Sequence, residues 1–95
     1  MKTIKKEFNQ YGLKVIGEYE KDTGKTVKET YYDGKTISSV REYDKDNDNK
    51  VKVIYYQSNG KTIDYVEEYD EHDDDELVRI IYYNSDGKIN FISEE

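Results

Sequence analysis

Val, Ile and Tyr recur at every second position in short runs, and each run stops in a cluster of Gly, Asp, Asn or Ser. A period of two is the signature of a strand with one apolar face, and Gly, Asp and Asn supply the turn conformations between strands. Strands are predicted near residues 2–8, 13–20, 25–32, 36–43, 50–57, 61–69, 76–83 and 88–93, eight in all. One set of turns carries glycine, at Gln10-Tyr11-Gly12, Asp33-Gly34, Ser58-Asn59-Gly60 and Ser85-Asp86-Gly87. The other set is acidic: Lys21 to Gly24, Lys45 to Asn49 and Glu71 to Asp75.

The third hairpin sets the expected faces. A three-residue loop Ser58-Asn59-Gly60 pairs Gln57 with Lys61, Tyr55 with Ile63 and Val53 with Tyr65. One face then holds Val51, Val53, Tyr55, Ile63, Tyr65 and Tyr69, and the other Lys52, Ile54, Tyr56, Thr62, Asp64, Val66 and Glu68. A slip of one residue would bring Asp64 and Glu68 onto the apolar face, which argues for this register. By the same pattern Val27, Tyr31, Ile37 and Tyr43 join the apolar face, as do Val78, Ile80, Tyr82, Ile89 and Phe91, and Ile4, Phe8, Leu13, Val15 and Tyr19. In the second hairpin Asp33-Gly34 signals a two-residue turn, yet a three-residue loop is needed to pair Tyr31 with Ile37, and the latter is the expected arrangement. On the opposite face Lys5, Lys28, Lys52 and Arg79 alternate strand by strand with Glu18, Glu42, Glu68 and Glu94, an expected diagonal ladder of opposite charges.

The hairpins are copies of one another. Tyr31-Tyr32-Asp33-Gly34-Lys35-Thr36-Ile37 returns as Tyr55-Tyr56 with Gly60-Lys61-Thr62-Ile63, and as Tyr82-Tyr83 with Gly87-Lys88-Ile89. A degenerate first copy starts at Phe8 and Gly12. Four units follow, at roughly 1–24, 25–49, 50–75 and 76–95, within a single domain spanning 1–95. The expected fold is all-β: an antiparallel meander of about four β-hairpin repeats forming a twisted, curled open sheet. An eight-stranded closed meander barrel is the alternative. A repeat builds a surface more readily than an asymmetric catalytic centre.

Composition tightens this picture. Hydrophobic residues are 34% and charged residues 39% of the 95, a balance that leans toward disorder. Against that, the chain has no proline, and its apolar stock is almost entirely Val, Ile and Tyr, which suit a pleated surface. Without alanine and with little leucine, a helical bundle is poorly supported. The core must be thin. A net charge of −7 repels phosphate backbones and anionic membranes, so neither nucleic acid nor membrane is an expected partner. With no cysteine, disulfides and zinc–thiolate sites are excluded. No stretch has the length of a transmembrane span or a signal-peptide core; a secreted native protein would have lost its signal.

Candidate chemistry is sparse. Asp44 to Asn49 resembles the oxygen-rich start of a calcium loop, but the sixth and twelfth places hold Asn49 and Tyr55 instead of glycine and an acid. The acidic run Asp70 to Glu76 encloses His72, the single histidine, at a hairpin tip that offers neither pocket nor orienting partner. No enzyme, no metal and no cofactor is therefore expected. The tyrosines carry more weight, at eleven in 95 residues. Tyr19, Tyr31, Tyr43, Tyr55, Tyr65, Tyr69 and Tyr82 fall on the apolar face. Tyr32, Tyr56 and Tyr83, with Ile54 and Ile81, fall on the charged face, a mixture of aromatic, apolar and charged groups typical of protein-binding hot spots. Packing on cross-strand lysine stems is the plainer role for the same residues.

The string Tyr55-Tyr56, Gly60-Lys61-Thr62-Ile63-Asp64-Tyr65, Glu68-Tyr69-Asp70 resembles a tandem-repeat family of unknown function from phytoplasma proteins. The likeness covers the whole chain and is strongest over residues 31–92. Asn9 and Ser38-Ser39 depart from the motif in the first two units. The repeats are also distantly similar to MORN-type hairpin modules, which act as scaffolds. The resemblance implies a secreted protein released into a host cell, with a host protein as partner. The expected function is thus a non-enzymatic protein-binding module, an effector that uses Tyr32, Tyr56, Tyr83, Ile54 and Ile81. Alternatives are a structural spacer that self-associates through a sheet face or edge, and calcium-dependent adhesion through the acidic turns.

Overall fold

A computed structural model describes residues 2–44, 46, 49–70 and 72–94. The chain is a single antiparallel sheet of eight strands in sequence order: β1 (Thr3–Gln10), β2 (Leu13–Glu20), β3 (Thr26–Asp33), β4 (Thr36–Tyr43), β5 (Lys50–Tyr56), β6 (Ile63–Asp70), β7 (Asp73–Tyr83) and β8 (Ile89–Glu94). β1 and β8 each have one neighbour, so the meander is open and the barrel alternative is excluded. The Cα positions spread over 40 × 33 × 24 Å. A flat sheet would be about 10 Å deep at most, so the 24 Å dimension records strong twist and curl.

The curl has a visible source. Beyond the first hairpin, every strand carries an unpaired residue near its start: Val27 in β3, Ser38 in β4, Val51 in β5, Asp64 in β6, Val78 in β7 and Asn90 in β8; β7 has a second, longer shift between Asp73 and Leu77. An extra residue on one strand of a pair bends that strand and increases its right-handed twist. The bulges recur with the sequence repeat, so each of the three later hairpins is bent in the same two places.

They also change the register that alternation alone suggests. Tyr55 pairs with Tyr65 rather than Ile63, and Val53 with Glu67 rather than Tyr65. Tyr31 pairs with Ser39, and Ile37 sits opposite Tyr32. Ile37, Ile63 and Ile89, expected beside Tyr31, Tyr55 and Tyr82, are therefore carried to the other side, opposite Tyr32, Tyr56 and Tyr83. The loops explain why. The second hairpin uses a two-residue loop, Gly34-Lys35, with Gly34 at φ 65°. The third uses four residues, since the Gln57 amide bonds to the Thr62 carbonyl at 2.8 Å. Asn59 closes that loop by accepting the amides of Lys61 and Thr62 at 2.8 and 2.9 Å. The first hairpin turns on Tyr11-Gly12 alone, both left-handed at φ 56° and 77°. At the last acidic turn, β7 starts at Asp73, earlier than residue 76.

Between bulges the expected alternation holds. One face, here the tyrosine face, carries the row Phe8, Val15, Tyr31, Ser39, Tyr55, Tyr65, Tyr82 and Phe91 across all eight strands. The other, the isoleucine face, carries Ile16, Thr30, Val40, Ile54, Val66, Ile81 and Ile92 in the adjoining row. The core is split between them, contrary to the expectation of one shared apolar interior. Val15, Tyr31 and Val53 are buried on the tyrosine face, and Val40 and Val66 on the isoleucine face. A single-layer sheet has no second layer to cover either side. Its middle strands bury their small β-branched residues under the longer side chains of neighbouring strands.

Candidate protein-binding surface

The isoleucine face gathers all five residues singled out from sequence. Ile54 and Ile81 lie in the Val40–Ile54–Val66–Ile81–Ile92 row, where Val40 and Val66 are buried and the two isoleucines are half-buried. One row nearer the glycine turns, Tyr32, Tyr56 and Tyr83 are half-buried against Ile37, Ile63 and Ile89. The bulges at Ser38, Asp64 and Asn90 thus add three isoleucines that alternation had assigned elsewhere. The signal that could have found them is the two-residue turn at Asp33-Gly34: an even loop there, on Asp33-Gly34 or on the observed Gly34-Lys35, puts Ile37 on the face of Thr30 and Tyr32.

These rows make a repeating relief. A notch of about 270 Å³ opens between Ile37 and Tyr56, floored by Ser38 and rimmed by Asp33 and Ser58. A second, of about 260 Å³, opens between Ile63 and Tyr83 one repeat later, rimmed by Asp86 and Gly87. The spacing between hairpins is tight here. A Cβ on Gly60 would lie 2.5 Å from Thr36 Cγ2, so only glycine lets the third turn rest on the second. Among the described residues, Tyr56 and Tyr83 make no side-chain hydrogen bond within the chain. The Tyr32 ring lies 4.9 Å from Lys14 Nζ.

The charged row borders this field on its far side. Lys5, Glu18, Lys28, Glu42, Lys52, Glu68, Arg79 and Glu94 are direct cross-strand neighbours in that order, so the opposite charges face each other squarely rather than diagonally. Arg79 donates from Nε to Glu68 at 2.7 Å and reaches Glu94 at 3.7 Å. A shallow groove of about 460 Å³ follows this row between Glu42, Lys52, Glu68 and Arg79.

The acidic turns use their carboxylates internally. Asp44 Oδ1 accepts the Asp46 amide at 2.7 Å, and Asp70 Oδ1 accepts the His72 amide at 2.7 Å. Among the described residues, no three His, Asp or Glu side chains converge as metal ligands. Lys45, Asn47, Asp48 and Glu71, which belong to the two candidate cation loops, lie outside the described residues.

The tyrosine face carries two hydrogen-bonded clusters, one on Glu29 and one on Glu67. Glu29 accepts from Tyr43 at 2.7 Å and Tyr31 at 3.3 Å, and Glu67 accepts from Tyr69 at 3.0 Å. Arg41 lies 5.0 Å from the Tyr31 ring. Burial, then the adjacent Glu67 carboxylate, pushes Tyr55 and Tyr69 up to about 12, and burial with Glu29 raises Tyr43 further. Rings stack along the row, Tyr55 on Tyr65 and Tyr82 on Phe91, each at 4.5 Å. At the first hairpin the Tyr19 ring covers Gly17, where a Cβ would meet its hydroxyl at 2.5 Å. These tyrosines are engaged in the sheet, whereas the isoleucine face presents its apolar and aromatic groups outward.

Residues 31–77 are similar to the DUF2963 family. The family is described as a protein of unknown function. The DUF2963 segment runs from Tyr31 in β3 to Leu77 in β7, and so contains the first notch, Ile54 and the central charged pairs. No curated protein and no solved structure matches the chain.

Proposed function

We propose that this chain is a non-enzymatic β-repeat module that binds a protein through its isoleucine face. The carrying observation is the uninterrupted band formed by Val40, Ile54, Val66 and Ile81 with Tyr32–Ile37, Tyr56–Ile63 and Tyr83–Ile89, on a single-layer sheet over which, among the described residues, no element packs. Tyrosines and isoleucines half-buried in a rigid sheet lose little side-chain freedom on contact, which is why such groups dominate binding energy. The repeated notches suit apolar side chains spaced along an extended or helical segment of the partner. The sequence resemblance supports a finer reading: a secreted bacterial effector acting inside a host cell, its target a host protein.

The test is a double substitution, Tyr56→Ala with Tyr83→Ala, in the whole chain. Far-UV circular dichroism should be unchanged, while capture of the partner from plant-cell extract is lost, each ring contributing about 2 kcal/mol. Capture that survives the double substitution, with the fold intact, refutes this face as the binding surface. Ile54→Ser provides a second variant that leaves both rings in place.

A further inference from the structure

We propose that the two open edges of the sheet are complementary, and that β8 of one copy pairs antiparallel with β1 of a second copy, continuing the meander across molecules. Every junction between an even strand and the next odd one follows the same pairing. Glu18 faces Lys28, Glu42 faces Lys52 and Glu68 faces Arg79; three residues away along each strand, Val15 faces Tyr31, Ser39 faces Tyr55 and Tyr65 faces Tyr82. β8 ends the row with Glu94 and Phe91, and β1 opens it with Lys5 and Phe8. Placing β1 of a second copy beside β8 in this register sets Glu94 against Lys5 and Phe91 against Phe8. The charge alternation and the aromatic row then both run on without a break.

The edges themselves are unfinished. Ile89, Phe91 and Ile92 on β8 are 53%, 53% and 46% exposed, and Ile4 on β1 is 41% exposed. An edge strand with that much apolar surface normally carries a proline, an inward charge or a covering loop to block pairing. β8 has no proline and no bulge beyond Asn90. β1 carries Lys5 and Lys6, charges that would repel a second β1 but meet Glu94 and Ser93 in the proposed register. A two-fold pairing of β8 with β8 would give Glu94 no cation across the junction, leaving it only its own Arg79. The β8·β1 contact is heterologous, so it joins copies head to tail into chains or rings rather than a two-fold dimer. With one six-residue strand on its shorter side, the contact is small, which places association on the order of a millimolar. This inference is independent of the isoleucine face, because both faces continue across the junction unchanged.

Charge exchange tests it by sedimentation velocity on the intact chain in 0.15 M salt, with circular dichroism as the fold control. The wild-type chain should form dimers and higher species as concentration rises. Lys5→Glu alone and Glu94→Lys alone should each weaken association roughly tenfold, since each sets like charges across the junction. A one-to-one mixture of the two variants should recover association to within roughly threefold of wild type, because every junction between unlike copies is again an opposite pair. A chain that stays monomeric at several millimolar overturns the proposal. So does a limiting dimer that Lys5→Glu leaves untouched, the outcome of β8 pairing with itself, or a mixture no better than its components.

Discussion

Replacing Val53 and Val66 separately by alanine tests whether the sheet holds two half-cores. Val53 is 1% exposed on the tyrosine face, and Val66 is 3% exposed on the isoleucine face. Each change removes two buried carbons, worth about 0.8 kcal/mol apiece in transfer, or roughly 1.6 kcal/mol per site. Cavity terms add little where long side chains can settle into the gap, as they can on a single layer. For a domain of this size about 1 kcal/mol corresponds to 4–8 °C in Tm, so each variant should melt roughly 6–13 °C lower. Thermal unfolding followed by far-UV circular dichroism, with urea titration for the free energy, reads both. Val78→Ala, at a position 40% exposed, is the control and should fall within about 0.5 kcal/mol of the parent. If Val66→Ala matches that control while Val53→Ala shows the full loss, one face alone holds the core and the two-sided account is wrong.

Gly60→Ala should destabilise the chain more than Gly12→Ala in the same melt. Both residues have positive φ, but only at Gly60 does the new methyl meet Thr36, 2.5 Å away, while Gly12 has open space. Stability should fall as pH rises above about 10. The folded chain holds Tyr55 and Tyr69 near 12, so their neutral forms stabilise it fully below the unfolded pKa of about 10, and that contribution is lost between the two values. Urea midpoints across that range check it, and Glu67→Gln should shallow the slope by removing the carboxylate that raises both groups. Lys28→Glu, which sets three acids side by side with Glu18 and Glu42, should cost about 1 kcal/mol at low salt and less at high salt.

Strand number, order and the central parity were all legible in the sequence, because Val53, Tyr55 and Tyr65 lie between bulges where a period of two is undisturbed. The charged row was legible for the same reason: Lys52 and Glu68 both follow their strand's bulge, at Val51 and Asp64, and lie in the stretch where the period of two is undisturbed. What alternation could not give was the side on which Ile37, Ile63 and Ile89 emerge. Side-chain period is a local property, whereas a bulge is a mismatch between two strands and becomes visible only once both are paired. The unequal loops compounded this, since Asn59 lengthens the third turn by hydrogen bonds from one side chain that no composition rule weighs. The five candidate contact residues escaped the error: Ile54 and Ile81 are mid-strand, and Tyr32, Tyr56 and Tyr83 stand on the partner strands of the bulges at Ser38, Asp64 and Asn90.

The bulges tie the architecture to the surface. A regular sheet with this sequence would keep Ile37, Ile63 and Ile89 with the stacked tyrosines, weighting the apolar area toward that side although Val40, Ile54, Val66 and Ile81 stay on the other. A single layer so divided must cover its apolar side with something else, because exposed Val, Ile and Tyr over eight strands would drive it to aggregate. Moving one isoleucine per hairpin across the sheet divides that apolar area between both faces, each with its own row of charges or its own tyrosine–glutamate network to keep it wet. The same extra residue bends the strand, so the sheet curls and its middle rows shelter Val15, Val40, Val53 and Val66 under neighbouring side chains. It also sets Ile37 and Ile63 each in line with a tyrosine of the next hairpin, which is where the notches form. A device that lets a thin sheet stand without a second layer thereby also gives it a graded, repeating relief to present to a partner.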